Sequence, residues 1–115
     1  MKTLLTTFAT FTLTFGLFAV DFKISTPKLI EKGKTIYKAK CASCHGVKGD
    51  SDSPMGKSLK VRNLVSDKFK NGNTTEGVFK SITEGIKGTT MTSYKKLSEE
   101  ERWALSHYVM TLHKK

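Results

Sequence analysis

The segment Cys41-Ala42-Ser43-Cys44-His45 constrains this 115-residue chain more than any other part of it. On a helical turn, residues three and four positions apart share a face, so the two thiols and the imidazole converge on one object. Two cysteines at this spacing with a histidine directly behind them form the attachment pattern of c-type haem. The pattern predicts one covalent haem c, held by thioethers from Cys41 and Cys44 and bound at its iron by His45.

Two other uses of a cysteine pair fit the sequence less well. A thioredoxin-like redox pair sits in a βαβ setting, and the sequence has no parallel-strand pattern. A zinc site needs four ligands, usually from two separated pairs, and the chain has only two cysteines. His107 and His113 would complete such a site only if a long C-terminal helix folded back onto the motif.

The first twenty residues have the pattern of a secretory signal peptide. A single positive charge, Lys2, precedes an apolar, threonine-rich segment that ends in Ala19 and Val20. We expect a signal peptide over residues 1–20, cleavage near Ala19 or Val20, and a mature domain over residues 21–115 in the periplasm. The alternative is a retained anchor, which is about long enough to span a bilayer but weakly apolar. After cleavage we expect the protein not to be stably inserted in a membrane. Outside the cytoplasm spare thiols tend to form disulfides, but the two thioethers would use both cysteines.

The charge balance is strongly basic, with 20 Lys and Arg against 10 Asp and Glu and a formal net charge of +10. A basic domain suggests nucleic-acid binding first. An exported protein meets little nucleic acid, however, and no base-stacking aromatic motif is present, so we expect no nucleic-acid partner. The lysines instead predict steering towards acidic surfaces of partner proteins.

Three segments have the apolar spacing of helices. The first runs from Pro27 to about Cys44 behind the N-cap signal Thr26-Pro27. The second covers residues 74–84, and the third opens with a capping box at Ser98 and continues to about residue 112. Residues 46–73 carry turn signals and predict a long loop around a cofactor. No strand signal is convincing, so the fold class is all-α, in a single domain of about 95 residues after cleavage.

Several further motifs accompany the haem-attachment pattern along the mature chain. They are Gly33-x-x-x-Tyr37, Gly46 with Gly49, Pro54 and Leu59, Arg62-Asn63-Leu64, Gly85-Ile86-x-Gly88-Thr89-x-Met91, and Leu97-Ser98-x-x-Glu101 with Tyr108-Val109. In these residues the chain resembles a class I monohaem c-type cytochrome over nearly all of its mature length. The resemblance implies a cytochrome c fold of three to five helices packed around one covalently bound haem. It also implies that the first and last helices cross through Gly33, Tyr37 and Tyr108.

The second axial ligand of the iron is the main open choice. Met91 sits in a glycine-flanked loop where the resemblance places the ligand methionine, and a thioether there raises the reduction potential. Met55 is the rival methionine, and His107, His113 or an open site are the remaining alternatives. Met110 lies within the last helix and is expected to pack.

The resemblance also assigns roles near the two axial ligands. It implies that the Pro54 carbonyl accepts the Nδ1–H of His45 and so fixes the ring. The family often has proline after its ligand methionine, and Thr92 stands there in this chain. Tyr94 is expected either to brace this loop or to be an ordinary surface aromatic, and Arg62 to meet a haem propionate or solvent.

With His45 and Met91 on its two faces, the iron would have no position for a substrate. We therefore expect an electron carrier rather than an enzyme, acting as a monomer between a quinol-oxidising complex and a terminal oxidase or reductase. Two alternatives stay open. One is a dedicated subunit of one periplasmic oxidoreductase, and the other is a haem sensor or peroxidase-like protein with an open iron site.

Overall fold

The computed structural model describes residue 3, residues 6–12 and residues 20–114. These residues contain five helices and no strand, which confirms the all-α fold class. The helices are α1 (Pro27–Lys40), α2 (Ala42–His45), α3 (Pro54–Leu59), α4 (Thr75–Glu84) and α5 (Glu99–Leu112).

The helices α1 and α5 cross at a glycine. Gly33 of α1 faces the backbone carbonyl of Ala104 in α5, so closely that a Cβ on Gly33 would overlap it. One turn further along, the rings of Tyr37 and Tyr108 meet with centroids 5.2 Å apart and planes tilted by 58°. The predicted crossing of the first and last helices is confirmed. Because Gly33 has no side chain, the two helix backbones can approach closely at this point.

The core lies where α4 packs against this crossed pair. Val78 and Ile82 of α4 are buried against Leu105 and Val109 of α5 and Tyr37 of α1. Burying side chains of this size stabilises a fold by about 1.5–3 kcal/mol each. Because Val78 and Val109 also reach the cavity described below, the same contacts that hold the helices together form one wall of that cavity.

The capping residues explain where the longer helices begin. The Thr26 hydroxyl accepts a hydrogen bond from the Leu29 N–H at 3.2 Å, with Pro27 at the first helical position. At α5, the Ser98 hydroxyl accepts from the Glu101 N–H at 3.1 Å, and the Glu101 carboxylate accepts from the Ser98 N–H at 3.0 Å. This is the predicted capping box, which satisfies two backbone donors reciprocally.

Residues 46–73 differ from the predicted loop by one short helix. Ser53 caps α3 by accepting from the Gly56 N–H at 2.9 Å, and Pro54 occupies its first position. Gly56 is buried directly against the Cys44 carbonyl, where a Cβ would not fit. The rest of the segment is irregular, as expected.

The end of α5 holds this irregular segment in place. The His113 ring donates through Nδ1 to the Leu64 carbonyl at 3.0 Å, and its Nε2 lies 2.9 Å from Asn73 Nδ2. The next residue, Lys114, donates its backbone N–H to the Val65 carbonyl at 2.8 Å. We call these contacts of His113 and Lys114 the C-terminal clasp.

The N-terminal region is described only in part. Much of the predicted signal peptide, namely Met1, Lys2, Leu4, Leu5 and residues 13–19, lies outside the described residues. Among the residues that are described, no helix has the length and apolarity needed to cross a bilayer. Phe22 in the short leader before α1 accepts a hydrogen bond at its carbonyl from Nε2 of the buried His107, at 2.8 Å.

Candidate haem site

The cysteine–histidine motif lies at the joint between α1 and α2. The Cys41 N–H still donates to the Tyr37 carbonyl at 2.8 Å, but α1 ends at Lys40, and α2 starts as a separate turn at Ala42. The Cys41 carbonyl accepts from the N–H groups of Cys44 and His45, at 3.2 and 2.9 Å. The prediction of one helix to Cys44 was therefore wrong at Cys41. The tight turn still places all three motif side chains on one cavity.

Gly46 ends this turn and connects it to the core. Its φ of +82° is in a region that suits glycine, and its N–H donates to the Ala42 carbonyl. The Gly46 carbonyl accepts from the buried Tyr37 hydroxyl at 2.6 Å. Burial, and secondarily the neighbouring Cys41, raises the pKa of Tyr37. The phenol therefore stays protonated and serves as a fixed donor behind the motif.

The cavity beside the motif has a volume of about 610 Å³, within the range of about 300–1,000 Å³ typical of small-molecule and cofactor sites. Five parts of the chain form its walls. They are the motif (Cys41, Cys44, His45), the segment after α3 (Arg62, Leu64, Phe69), α4 (Val78, Ser81), the loop after α4 (Ile86, Met91, Tyr94) and α5 (Val109). Apolar side chains thus line much of the cavity, and sulfur and imidazole groups lie on its walls.

The His45 ring is oriented by a backbone carbonyl. Its Nδ1 lies 3.0 Å from the carbonyl oxygen of Arg62. A carbonyl can only accept, so Nδ1 carries the proton and Nε2 is left with its lone pair free. Burial lowers the pKa of His45, although the bond to Arg62 works in the opposite direction. Burial is the larger effect, so the pKa is lowered overall and the imidazole is neutral, with Nε2 available for a metal.

The expected partner of His45 was wrong. Pro54 is the first residue of α3, and the carbonyl that His45 reaches belongs to Arg62. The chain near Arg62 is placed by α3, because the Val61 N–H donates to the Gly56 carbonyl and the Val61 carbonyl accepts from the Ser51 hydroxyl. One guanidinium nitrogen of Arg62 donates to the Lys68 carbonyl, and its contact with a haem propionate or solvent stays a prediction.

Met91 lies in the loop that follows α4 and lines the cavity. Its carbonyl accepts from the Ile86 N–H at 2.9 Å, which closes the loop from 86 to 91. Gly85 has a φ of +71°, and a Cβ there would come within 2.8 Å of the Met91 carbonyl oxygen. Glycine at residue 85 therefore allows the loop to turn back over the cavity and bring the Met91 side chain to its wall.

The rival ligands lie elsewhere. Met55 is 51% exposed on α3 and does not line the cavity. Met110 packs against the core, as expected. His107 is engaged by the Phe22 carbonyl, and His113 by the C-terminal clasp. None of these four side chains lines the cavity formed by the described residues.

Burial affects two other groups on the cavity wall. It raises the pKa of Cys41 to about 11, with the nearby Cys44 as the second cause and Lys40 opposing. Cys41 is thus a protonated thiol at neutral pH in the chain without cofactor. Burial also raises the pKa of Tyr94, with Cys41 and Cys44 adding to the shift and a hydrogen bond from Thr92 opposing it. Tyr94 therefore faces the thiols across the cavity rather than solvent alone.

Trp103 belongs to the core. It is 4% exposed, stacks on Phe79 of α4 with centroids 3.9 Å apart, and does not line the cavity. The functional groups that sequence reasoning missed are the Arg62 carbonyl and the Ser51 and Ser53 hydroxyls. Ser53 donates to the Cys44 carbonyl at 2.9 Å. A local signal for Ser53 existed, because Ser53-Pro54 repeats the cap pattern of Thr26-Pro27.

A family model described as cytochrome c matches residues 30–113. The chain belongs to the cytochrome c family. Haem c, covalently bound, is the cofactor of this family, and the donor set around the cavity fits it, with two thiols, an imidazole with a free nitrogen and a thioether. This cytochrome c is accordingly an electron-transfer protein.

Two relatives show how such a domain is used. The cytochrome is 30% identical over 82 residues to the cbb3-type cytochrome c oxidase subunit CcoP of Azospirillum brasilense, an alignment that covers 71% of this chain and 28% of that protein. Among solved structures, it resembles the Kuenenia stuttgartiensis reducing HAO-like protein complex Kustc0457/Kustc0458. That match has a TM-score of 0.65 and 29% identity, over 79% of this chain and 44% of the other. The cytochrome therefore spans less than half the length of either relative.

Proposed function

We propose that this cytochrome c carries single electrons in the periplasm between respiratory redox partners. In this proposal Cys41 and Cys44 attach the haem through thioethers, and His45 and Met91 are the axial ligands of its iron. The observation that carries the proposal is that these four side chains, from two distant parts of the sequence, line one cavity.

The residues around the cavity have separate tasks. Cys41 and Cys44 fix the position of the cofactor, and the Arg62 carbonyl holds His45 with Nε2 available for the iron. The Met91 thioether favours the reduced state more than a harder ligand would. Haem supplies a one-electron couple when bound. Val78, Val109 and the other apolar wall residues exclude water from it.

The assignment of the axial ligands is tested by paired methionine variants of the purified holoprotein. Ferric protein with a sulfur ligand shows a weak red absorption band from sulfur-to-iron charge transfer. We expect Met91→Ala to abolish this band and Met55→Ala, the matched control on exposed α3, to keep it. Loss of the band in Met55→Ala instead would refute the assignment. Mass spectrometry of the same protein should show the added mass of one haem, which Cys41→Ala with Cys44→Ala should remove.

Saturation of the iron is what separates a carrier from an enzyme. With His45 and Met91 both bound, no coordination position is left for a substrate, so we propose that the protein has no catalytic activity of its own. Carbon monoxide provides the test, because it needs a free position on ferrous iron. Resistance of the wild-type ferrous protein to carbon monoxide, and binding by Met91→Ala, are the expected results. Ready binding by the wild type would favour the haem sensor or peroxidase-like alternative.

We propose export to the periplasm through a signal peptide over residues 1–20, leaving a mature domain over residues 21–115. The charged start and the apolar, threonine-rich segment before Asp21 support this proposal. Fractionation of a bacterial host followed by N-terminal sequencing of the haem-bearing protein tests it. A mature terminus near Asp21 is expected. A terminus at Met1 in the membrane fraction would show that the segment is retained as an anchor.

The charges around the cavity support docking to acidic surfaces. Lys40, Lys60 and Lys70 line the cavity and are exposed, and within the described residues none of them forms an ion pair. Leu59, 41% exposed, lines the cavity beside them and supplies apolar contact area. We propose brief encounters there between a monomeric cytochrome and the acidic patch of a redox partner, with small buried areas typical of electron transfer.

Charge reversal tests this docking surface. Lys60→Glu and Lys28→Glu change the net charge equally, but Lys28 lies at the start of α1 and does not line the cavity. We expect Lys60→Glu to slow electron exchange with an acidic redox partner more than Lys28→Glu does. The difference should shrink at high salt, because the Debye length falls to about 3 Å at 1 M. Equal effects of the two variants would contradict a localised docking surface.

A second candidate is a dedicated electron-transfer subunit of one periplasmic oxidoreductase. It is favoured by the two relatives, since both named matches are a subunit or a part of larger redox assemblies. Purification from the native host under mild conditions distinguishes the two. A stoichiometric complex that survives moderate salt would support the subunit, whereas a free monomer would support the diffusible carrier.

A further inference from the structure

In the loop of residues 86–91, both backbone polar groups of Met91 form hydrogen bonds. The Met91 carbonyl accepts from the Ile86 N–H at 2.9 Å, and the Met91 N–H donates to the Thr89 hydroxyl oxygen at 3.1 Å. Both backbone groups of Met91 are therefore satisfied inside the loop itself. The Met91 backbone is thus fixed on both sides within an otherwise irregular segment.

Thr89 joins the two ends of this arrangement. Its hydroxyl donates to the Ile86 carbonyl at 2.7 Å while accepting from the Met91 N–H. A hydroxyl has one donor and two acceptor positions, so it can make both bonds at once. Valine has nearly the same shape and can make neither bond. The adjacent Thr90 makes no hydroxyl hydrogen bond within the described residues, although it has the same chemistry.

Next to this loop the chain carries Thr92 rather than proline. A proline would restrict the backbone by fixing φ near −65°. In this chain that restriction is missing, and the only side chain that bonds the Met91 backbone within the described residues is Thr89. The Met91 backbone is thus restrained by its hydrogen bond to Thr89 and not by a neighbouring proline ring.

We propose that Thr89 is the positioning residue for Met91, and that its hydroxyl sets how often the thioether leaves the iron. The proposal rests on the axial ligation proposed above. Thr89 acts through the Met91 backbone and needs no contact with the cofactor. Loss of the Thr89 hydroxyl should therefore leave the haem attached and Met91 as the axial ligand. The bond between Met91 and the iron should, however, open more often.

Imidazole titration of the ferric holoprotein measures this opening. Imidazole can bind only after Met91 has left, so its apparent dissociation constant varies inversely with the fraction of open protein. The variants are Thr89→Val, Thr89→Ser, Thr90→Val and Met91→Ala. The red sulfur-to-iron band of each variant, recorded before imidazole is added, shows whether Met91 is still the ligand.

Removal of these two solvent-exposed hydrogen bonds should tighten imidazole binding by about three- to tenfold in Thr89→Val. The red band should persist there, which shows that the protein is folded and still ligated. Thr89→Ser should restore the wild-type affinity, and Thr90→Val should match the wild type.

Two results would overturn the inference about Thr89 and leave the ligand assignment untouched. These are equal imidazole affinities for Thr89→Val and Thr90→Val, or a Thr89→Ser protein that binds imidazole as tightly as Thr89→Val. A Met91→Ala protein that keeps the red band would overturn the ligand assignment, and the role of Thr89 with it. If Met91→Ala loses the band and Thr89→Val behaves as the wild type, the ligand assignment stands and only the inference about Thr89 fails.

Discussion

Replacing Gly33 with alanine tests whether the close approach of α1 and α5 is required. An added Cβ would overlap the Ala104 carbonyl and come within 2.9 Å of Tyr108 Cβ. Because the obstacle is backbone, the helices must move apart, and overpacking of this kind costs about 3 kcal/mol at the upper end of its usual range. Alanine gains about 1 kcal/mol of helix propensity over glycine. The net expected destabilisation is about 2 kcal/mol, or a fall in Tm of roughly 8–16 °C for a domain of this size.

Denaturation of the ferric holoprotein with guanidinium measures this change, with fluorescence from Trp103 and helical circular dichroism as two probes. The chain has one tryptophan, so the fluorescence signal reports on α5. Ala39→Gly, on the exposed side of α1, is the control and should lose about 1 kcal/mol from propensity alone. A Gly33→Ala protein as stable as the wild type, alongside the expected loss in Ala39→Gly, would refute the argument from the helix crossing.

Three further predictions concern side chains that form hydrogen bonds with the backbone. Tyr37→Phe leaves the Gly46 carbonyl without its buried donor and should lower the free energy of unfolding by about 1–3 kcal/mol, measured by the same denaturation; an unchanged midpoint would contradict this. Ser53→Ala removes the N-cap of α3 and should cost about 1 kcal/mol while lowering protection of the Gly56 amide from hydrogen exchange. Hydrogen bonds from Ser98 hold the pKa of Glu101 below its ordinary value of 4.5. The contribution of Glu101 to stability is therefore present above pH 4.5, and it is lost as the pH falls through the lower pKa of the folded state. Glu101→Gln should therefore flatten the acid side of the stability profile, and a profile that stays parallel to that of the wild type would count against the capping box.

The three longer helices could be predicted from local signals, whereas their crossing was expected from the family resemblance. The cap at Thr26-Pro27, the capping box at Ser98 and the buried Gly33 are all visible as residue types at fixed spacings. The break at Cys41 was not predicted, because the apolar spacing of three and four runs on through Cys41 without a Gly or Pro to interrupt it.

The cavity residues could be predicted where they are side chains of a distinctive type. Cys41, Cys44, His45 and Met91 were found by motif and resemblance, and the structure brings them to one cavity. The partner of His45 was predicted wrongly, because every residue offers the same backbone carbonyl and only tertiary structure selects Arg62. A backbone acceptor leaves no residue type for sequence reasoning to detect.

The C-terminal clasp has a consequence for the order in which the protein is assembled. The bond from His113 to the Leu64 carbonyl joins residues 49 positions apart, so the ribosome makes the segment around Leu64 well before it makes its partner. Until His113 and Lys114 have been made, the segment around Leu64 lacks these two contacts and is held by nearer ones, such as the bond from the Leu64 N–H to the Gly49 carbonyl at 2.7 Å. In such a chain the cavity wall around Leu64 is held less firmly, so we expect the thiols of Cys41 and Cys44 to be easier to reach before these two contacts form than afterwards.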